Sequence, residues 1–194
     1  QVANLIKGKW SKLLVRGWNL DSWIDKPKTI GNRIAKLIGA GNDTVIVGDT
    51  LSIKTFQALF AATKLQPKRR IILSDTGNFP SDIYITQGLI ETLNLNYELR
   101  IVKPTEVLDS ITDEIAVLLL TEVDYRTSRK HDIIKLTQRA RKMGTTTIWN
   151  LAHSAGILPV ELKHLKVDFA IGCTYKYLNG GPGSPAFLYA SKKH

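Results

Sequence analysis

Val167-Asp168-Phe169-Ala170-Ile171-Gly172-Cys173 runs directly into Thr174-Tyr175-Lys176-Tyr177-Leu178-Asn179-Gly180-Gly181-Pro182-Gly183. The first stretch is a short, mostly apolar run closed by turn signals, which predicts a buried strand. Lys176 then stands between the strand end and a glycine-rich loop, where Gly180, Gly181 and Gly183 let the backbone turn closely around a bound group. A lysine amine is a nucleophile only when neutral, and apolar or cationic surroundings lower its pKa enough for imine formation with a carbonyl. On spacing alone two readings of Lys176 stand: an imine-forming amine, or a surface lysine before a turn.

Working outward, similar short runs occur at residues 44–48, 70–74, 97–102, 115–120, 145–150 and 185–190. Helical patterns separate several of them. They cover residues 50–64, residues 80–93 with Pro80 at the first helical position, and residues 131–143 closed by Gly144. The alternation predicts an α/β fold, a mostly parallel seven-stranded sheet flanked by helices. Residues 1–43 read as a lead-in and first helix, with Ile30, Ile34, Leu37 and Ile38 at amphipathic spacing. Trp10, Trp18 and Trp23 lie in an irregular part of that lead-in and are expected to be packing anchors. Residues 44–194 then form the main domain.

In open parallel sheets ligands bind beyond the carboxyl ends of the strands, where loops converge. That rule selects Thr50, Leu51 and Ser52, the segment Asp75 to Asp82, Thr121, the segment Asn150 to His153, and Thr174 to Lys176. All the chemically interesting polar residues fall on one edge. Asp49-Thr50-Leu51-Ser52 opens a helix after a strand, and its amides and hydroxyls suit either a phosphate or an ordinary N-cap.

Other chemistries fare worse. Gly39-Ala40-Gly41 precedes the first strand, no G-x-G-x-x-G opens a later helix, and no Walker lysine motif occurs. His153 has no second ligand at metal spacing, so no metal site is expected. Cys173 sits in an apolar run and reads as core instead of nucleophile.

The bulk properties narrow the class. A chain of 194 residues buries one substantial core. One cysteine fits a reducing compartment, no run approaches the roughly 18 apolar residues of a membrane span, and Gln1-Val2-Ala3-Asn4 shows no signal-peptide pattern. A cytoplasmic protein that binds no membrane is the expectation. The net charge of +10 raises nucleic acid as a partner. The basic residues are dispersed and no aromatics interleave with them, so a solvated basic surface that attracts small anions is expected instead.

Trp149-Asn150-Leu151-Ala152-His153-Ser154-Ala155-Gly156, followed by Ala170 to Ser184, closely resembles kynureninase. Asn78-Phe79-Pro80-Ser81-Asp82, Trp18-Asn19 and Ile34 to Ala40 are similar to the same family, so the resemblance extends over essentially the whole chain. It implies the large domain of the pyridoxal-phosphate-dependent aspartate-aminotransferase fold and hydrolysis of kynurenine or 3-hydroxykynurenine to alanine and anthranilate or 3-hydroxyanthranilate. That places the chain in the kynurenine pathway of tryptophan catabolism and NAD biosynthesis, as a homodimer. By the same resemblance Lys176 forms the aldimine with pyridoxal 5'-phosphate and serves as base. Tyr175 holds the phosphate and transfers a proton at the ketone. Leu51 and Ser52 bind the phosphate, and Phe79 stacks on the pyridine ring with Pro80, Ser81 and Asp82 completing its loop. Thr121 and His153 lie beside the ring.

Two departures qualify what is implied. The family carries an aspartate where this chain has Asn150, and that carboxylate keeps the pyridine nitrogen protonated, each pKa unit corresponding to about 1.4 kcal/mol. Cofactor binding with slow turnover is expected unless Asp82 compensates. The family's C-terminal small domain, with the arginine that grips the substrate carboxylate, is not found before His194, which makes a remnant that keeps the fold and cofactor binding an alternative. A cysteine desulfurase is the neighbouring alternative, but that relative usually has histidine where Tyr175 precedes the lysine.

Overall fold

The structure, a computed structural model, describes residues 2–194. Seven strands form one sheet: β1 (Val45–Gly48), β2 (Ile71–Asp75), β3 (Glu98–Val102), β4 (Ile115–Thr121), β5 (Thr146–Asn150), β6 (Phe169–Cys173) and β7 (Ala186–Ala190). Their order across the sheet is β1-β7-β6-β5-β4-β2-β3. The pairs from β6 through β3 are parallel, while β7 runs antiparallel to both β6 and β1. The expected seven-stranded, mostly parallel sheet is thus present, and its one antiparallel member is the strand that follows the glycine-rich loop.

Each central strand is buried on both faces, as parallel sheets require. In β4 every residue is buried. Leu118 and Leu120 pack with Leu73, Trp149 and Phe187 on one face, while Val117 and Leu119 pack with Ile72, Ile148 and Ile171 on the other. Helices Lys26–Leu37 and Ile133–Met143 cover the first face through Ile34, Ala35, Ile133, Leu136 and Ala140. Helices Leu51–Leu65 and Pro80–Thr92 cover the second through Ala58, Leu59, Ala62 and Leu89.

The helix ends are fixed by local chemistry. The Thr50 hydroxyl accepts from the Ile53 amide, the Asp132 carboxylate accepts from the Lys135 amide at 2.9 Å, and Gly144 takes the left-handed conformation that ends helix Ile133–Met143. That helix begins two residues later than the sequence suggested, because Asp132 is its cap and His131 turns inward instead.

The lead-in corrects two expectations. It is a succession of short helical turns from Val2 to Leu20, not an irregular segment. Trp10 and Trp18 are about half exposed, at 55% and 50%, and do not anchor packing in this chain. Trp23 is partly buried: its ring closes against Gly17, where a Cβ would lie 2.6 Å from it.

Candidate active site at the carboxyl edge of the sheet

The loops after β1, β2, β4, β5 and β6 converge at one edge, as parallel-sheet topology demands. Cys173 ends β6, and its thiol is buried. Lys176 follows in a bend held by the Asn179 amide on the Lys176 carbonyl at 3.0 Å and the Gly180 amide on the Thr174 carbonyl at 2.9 Å. Gly181 and Gly183 both adopt positive φ, +82° and +79°, so this loop needs glycine at both.

The Lys176 amine is half-buried and donates to His153 Nε2 at 2.7 Å. Backbone geometry dictates this direction. His153 Nδ1 lies 3.0 Å from the Val123 carbonyl, which only accepts, so Nδ1 carries the proton and Nε2 is the acceptor. Burial, together with the Lys176 charge, holds the His153 pKa below its ordinary value, keeping the ring neutral near pH 7. The same amine sits 5.9 Å from the Phe79 ring centre and 5.6 Å from that of Tyr175, within cation–π range.

Phe79 is aimed by a polar relay. Asn78 Nδ2 donates to Ser74 Oγ at 2.9 Å, its Oδ1 accepts from the Phe79 amide at 2.8 Å, and the same oxygen accepts from the Thr121 hydroxyl. Thr121 therefore acts through Asn78 on the loop that carries Phe79. Pro80 opens helix Pro80–Thr92, where its missing N–H costs nothing. Ser81 is half-buried beside it.

Asp82 and Asn150 meet below. Asn150 Nδ2 donates to Asp82 Oδ2 at 2.7 Å, and Asn150 Oδ1 accepts from the Ala152 amide at 2.9 Å. The backbone contact fixes which way the Asn150 amide points. Asp82 Oδ1 is buried with no hydrogen-bond partner among the described residues. Burial pushes the Asp82 pKa up to about 6, against the opposing pull of the Asn150 amide.

Leu51 and Ser52 stand at the same edge, at the first positions of helix Leu51–Leu65. Their amides have no carbonyl one turn earlier to bond, so they are free donors at a helix N-terminus. The turn before them is held by buried Lys54, whose amine donates to Asp49 Oδ2 at 3.0 Å. Thr50 is an N-cap, so the capping reading of this segment holds whether or not a phosphate binds there.

Tyr125 was not singled out from the sequence, and Asp75 was selected only as the first residue of a loop segment. The Tyr125 ring meets Phe79 edge-on with centres 5.0 Å apart and lies 6.3 Å from His153. Buried Asp75 accepts from His131 Nε2 at 2.7 Å and from Arg129 at 3.3 Å, tying the loop after β4 to the loop after β2. Arg126 adds a second tie by donating to the Thr76 carbonyl at 2.9 Å. The signal available for both was position, since each lies in a loop at a carboxyl strand end. A cleft of about 750 Å³ lies in the lead-in, between Trp10, Trp23 and Ile30, and gathers no such reactive set.

No group of metal-ligating side chains occurs among the described residues, and no helix there is long and apolar enough to cross a membrane.

Comparison with known proteins agrees with this fold. The family model described as aminotransferase class-V matches residues 22–193. Kynureninase of Burkholderia mallei (strain SAVP1) is 48% identical across 100% of this chain and 48% of that protein. Kynureninase of Pseudomonas fluorescens is 47% identical over 96% of this chain and 46% of that protein. The chain thus spans about half the length of the curated relatives it matches. Among solved structures, a C-DES variant with glycine covalently linked to its PLP cofactor superposes with TM-score 0.77 at 14% identity, over 97% of this chain and 52% of that one. An apo cysteine desulfurase from Thermococcus onnurineus NA1 superposes with TM-score 0.73 at 19% identity, over 90% of this chain and 45% of that one. At such identities these likenesses establish the fold alone.

Proposed function

This chain belongs to the aminotransferase class-V family, and from that premise we propose that it is the pyridoxal-phosphate-binding half of a kynureninase, hydrolysing kynurenine or its 3-hydroxy form to alanine and the corresponding anthranilate. The observation that carries the reading is the Lys176 amine, held by neutral His153 beside the Phe79 ring and near buried Asp82. Identity of 47–48% to kynureninases over nearly the whole chain supports the substrate class. The same reading carries a homodimer.

The residues fit the cofactor. An amine for an aldehyde, free helix amides at Leu51 and Ser52 for a phosphate, and an unpartnered buried carboxylate oxygen on Asp82 for a protonated ring nitrogen lie on one edge. When bound, pyridoxal phosphate supplies an electron-withdrawing ring that stabilises negative charge on the carbon next to the substrate amine.

The chain's own residues do the rest. Lys176 is placed to remove and return a proton at the substrate α-carbon, with His153 Nε2 holding its amine in place. Burial and the neighbouring Cys173 raise the Tyr175 pKa, so its phenol stays protonated at neutral pH and is able to donate to a ketone oxygen. Asn150 spends both ends of its amide on protein partners and so positions Asp82. Asp82 inherits the role of the missing aspartate, because a carboxylate with a pKa of about 6 is ionised at neutral pH and presents Oδ1 to a positive N–H.

Titrating the purified chain with pyridoxal phosphate tests the reading. The visible absorption of lysine-bound cofactor should develop in the wild type and be lost in Lys176→Ala. A wild-type chain without that band, or an identical band in the variant, overturns it. Release of anthranilate fluorescence from kynurenine by the full-length protein tests the substrate.

A further inference from the structure

The opposite end of the sheet holds a second concavity. The turn before β1, the end of β7, the last turn of helix Ile133–Met143 and the short helix Leu162–Leu165 enclose a cleft of about 510 Å³. This is the amino end of the parallel strands, so the length of the strands separates it from Lys176. Its walls carry Arg141, Lys163, Lys166, Lys192 and Lys193 and no carboxylate.

Among the described residues, only Lys193 of these five has an ion-pair partner, Asp168 Oδ1 at 3.3 Å. Asp168 has nothing left to offer the others. Its Oδ2 accepts from the Thr147 amide and hydroxyl at 3.0 and 3.1 Å, and its Oδ1 also meets His194 Nε2 at 2.9 Å. Four cations from three separate segments therefore face one concavity without an ion-pair partner, the nearest carboxylate influence being that of Asp43 on Lys192. Like charges so gathered repel, and low-dielectric walls focus their field into the cleft. An anion relieves that repulsion.

The chemistry of the walls limits which anion. Lysines act as point charges and Arg141 adds a planar fork, a mixture suited to several phosphate oxygens at once. The Ser191 hydroxyl and Asn42 amide add neutral donors at the wall. Tyr189, the aromatic at the cleft, is buried, with its hydroxyl donating to the Val167 carbonyl, so it offers no face for a stacked base. The volume suits a small ligand and not a nucleic-acid strand.

We propose that this cleft binds a compact polyanion carrying two or three linked phosphates, whether free or as the phosphate chain of a nucleotide. The proposal does not rest on the function assigned to Lys176. Isothermal titration with inorganic tripolyphosphate tests it, using the wild-type chain, Lys163→Ala/Lys166→Ala, the lead-in control Lys7→Ala/Lys12→Ala, and Lys176→Ala. All four substituted surface lysines are exposed, so folding is preserved. The expected result is one saturable site, weakened at least about ten-fold in the cleft variant and unchanged in the other two. Absence of saturable binding, equal weakening in the lead-in control, or loss in Lys176→Ala overturns the proposal. Adenosine triphosphate then separates the sources. Tighter binding than tripolyphosphate identifies a nucleotide, and equal binding identifies the phosphates alone.

Discussion

At the carboxyl end of the sheet these charged side chains each have a hydrogen-bond partner: Lys176 donates to His153, Asp82 accepts through one oxygen from Asn150, and Asp75 accepts from His131 and Arg129. At the amino end Arg141, Lys163, Lys166 and Lys192 face a shared cleft with no carboxylate among them. The difference follows from how each edge is built. Carboxyl-end loops bring buried polar groups from five strands together, and a buried charge there must be hydrogen-bonded or change protonation. Arg141, Lys163 and Lys166 lie at helix ends, where a cation complements the helix dipole, whereas Lys192 follows β7. Arg141 and Lys163 both occupy last turns. Local rules thus satisfy the helix-end cations singly and leave the group without an anion.

The largest effect should come from breaking the matched end. Asp75→Ala strands buried His131 and the Arg129 guanidinium, and should lower stability by about 3 kcal/mol, read as a lower urea midpoint at unchanged slope. A loss below about 1 kcal/mol would show that the tie between the two loops contributes little.

Asn150→Asp comes next. It replaces the amide donor that lies 2.7 Å from Asp82 Oδ2 with a second carboxylate, so one of the pair must keep a proton. The chain without cofactor should lose about 2 kcal/mol, while full-length protein should gain turnover. An unchanged rate would mean that Asp82 already supplies all the charge the ring nitrogen needs.

The smallest effect is the pH dependence of Asp82→Asn. The folded pKa of Asp82 is raised from 3.8 to about 6. Its stabilising contribution is therefore present in full below pH 3.8 and is lost as pH rises through about 6. The variant should lack that decline and so show a flatter stability curve between pH 4 and 7. His153 works in the opposite direction. Its pKa is depressed, so its contribution is present above about 6.5 and falls away in acid. Parallel stability curves for wild type and Asp82→Asn from pH 4 to 7 would show that Asp82 is not strained by burial.

Much of this was legible in the sequence. Short apolar runs at β1 to β7 and the Gly144 boundary signal were local, and the structure kept them within a residue or two. The convergence of Ser52, Phe79, Asp82, Thr121, Asn150, His153 and Lys176 on one edge followed from parallel topology. Other features depended on distance in space. The pairing of Asn150 with Asp82 joins positions 68 residues apart, and that of His131 with Asp75 joins positions 56 apart. Trp10 and Trp18 read as anchors because large aromatics usually are, yet nothing in their spacing specified a surface for them to cover.

The sequence by itself determined the strands, the helix caps and the lysine at a strand end, because hydrophobic period and capping chemistry act between residues a few positions apart. Only the tertiary structure decided that β7 turns back antiparallel, that His153 is the neutral acceptor for Lys176, and that Asp82 pairs with Asn150 and keeps one buried oxygen unpartnered. Those outcomes depend on which buried donors and acceptors remain unsatisfied once the strands are ordered, and a chain has no such remainder until it is folded.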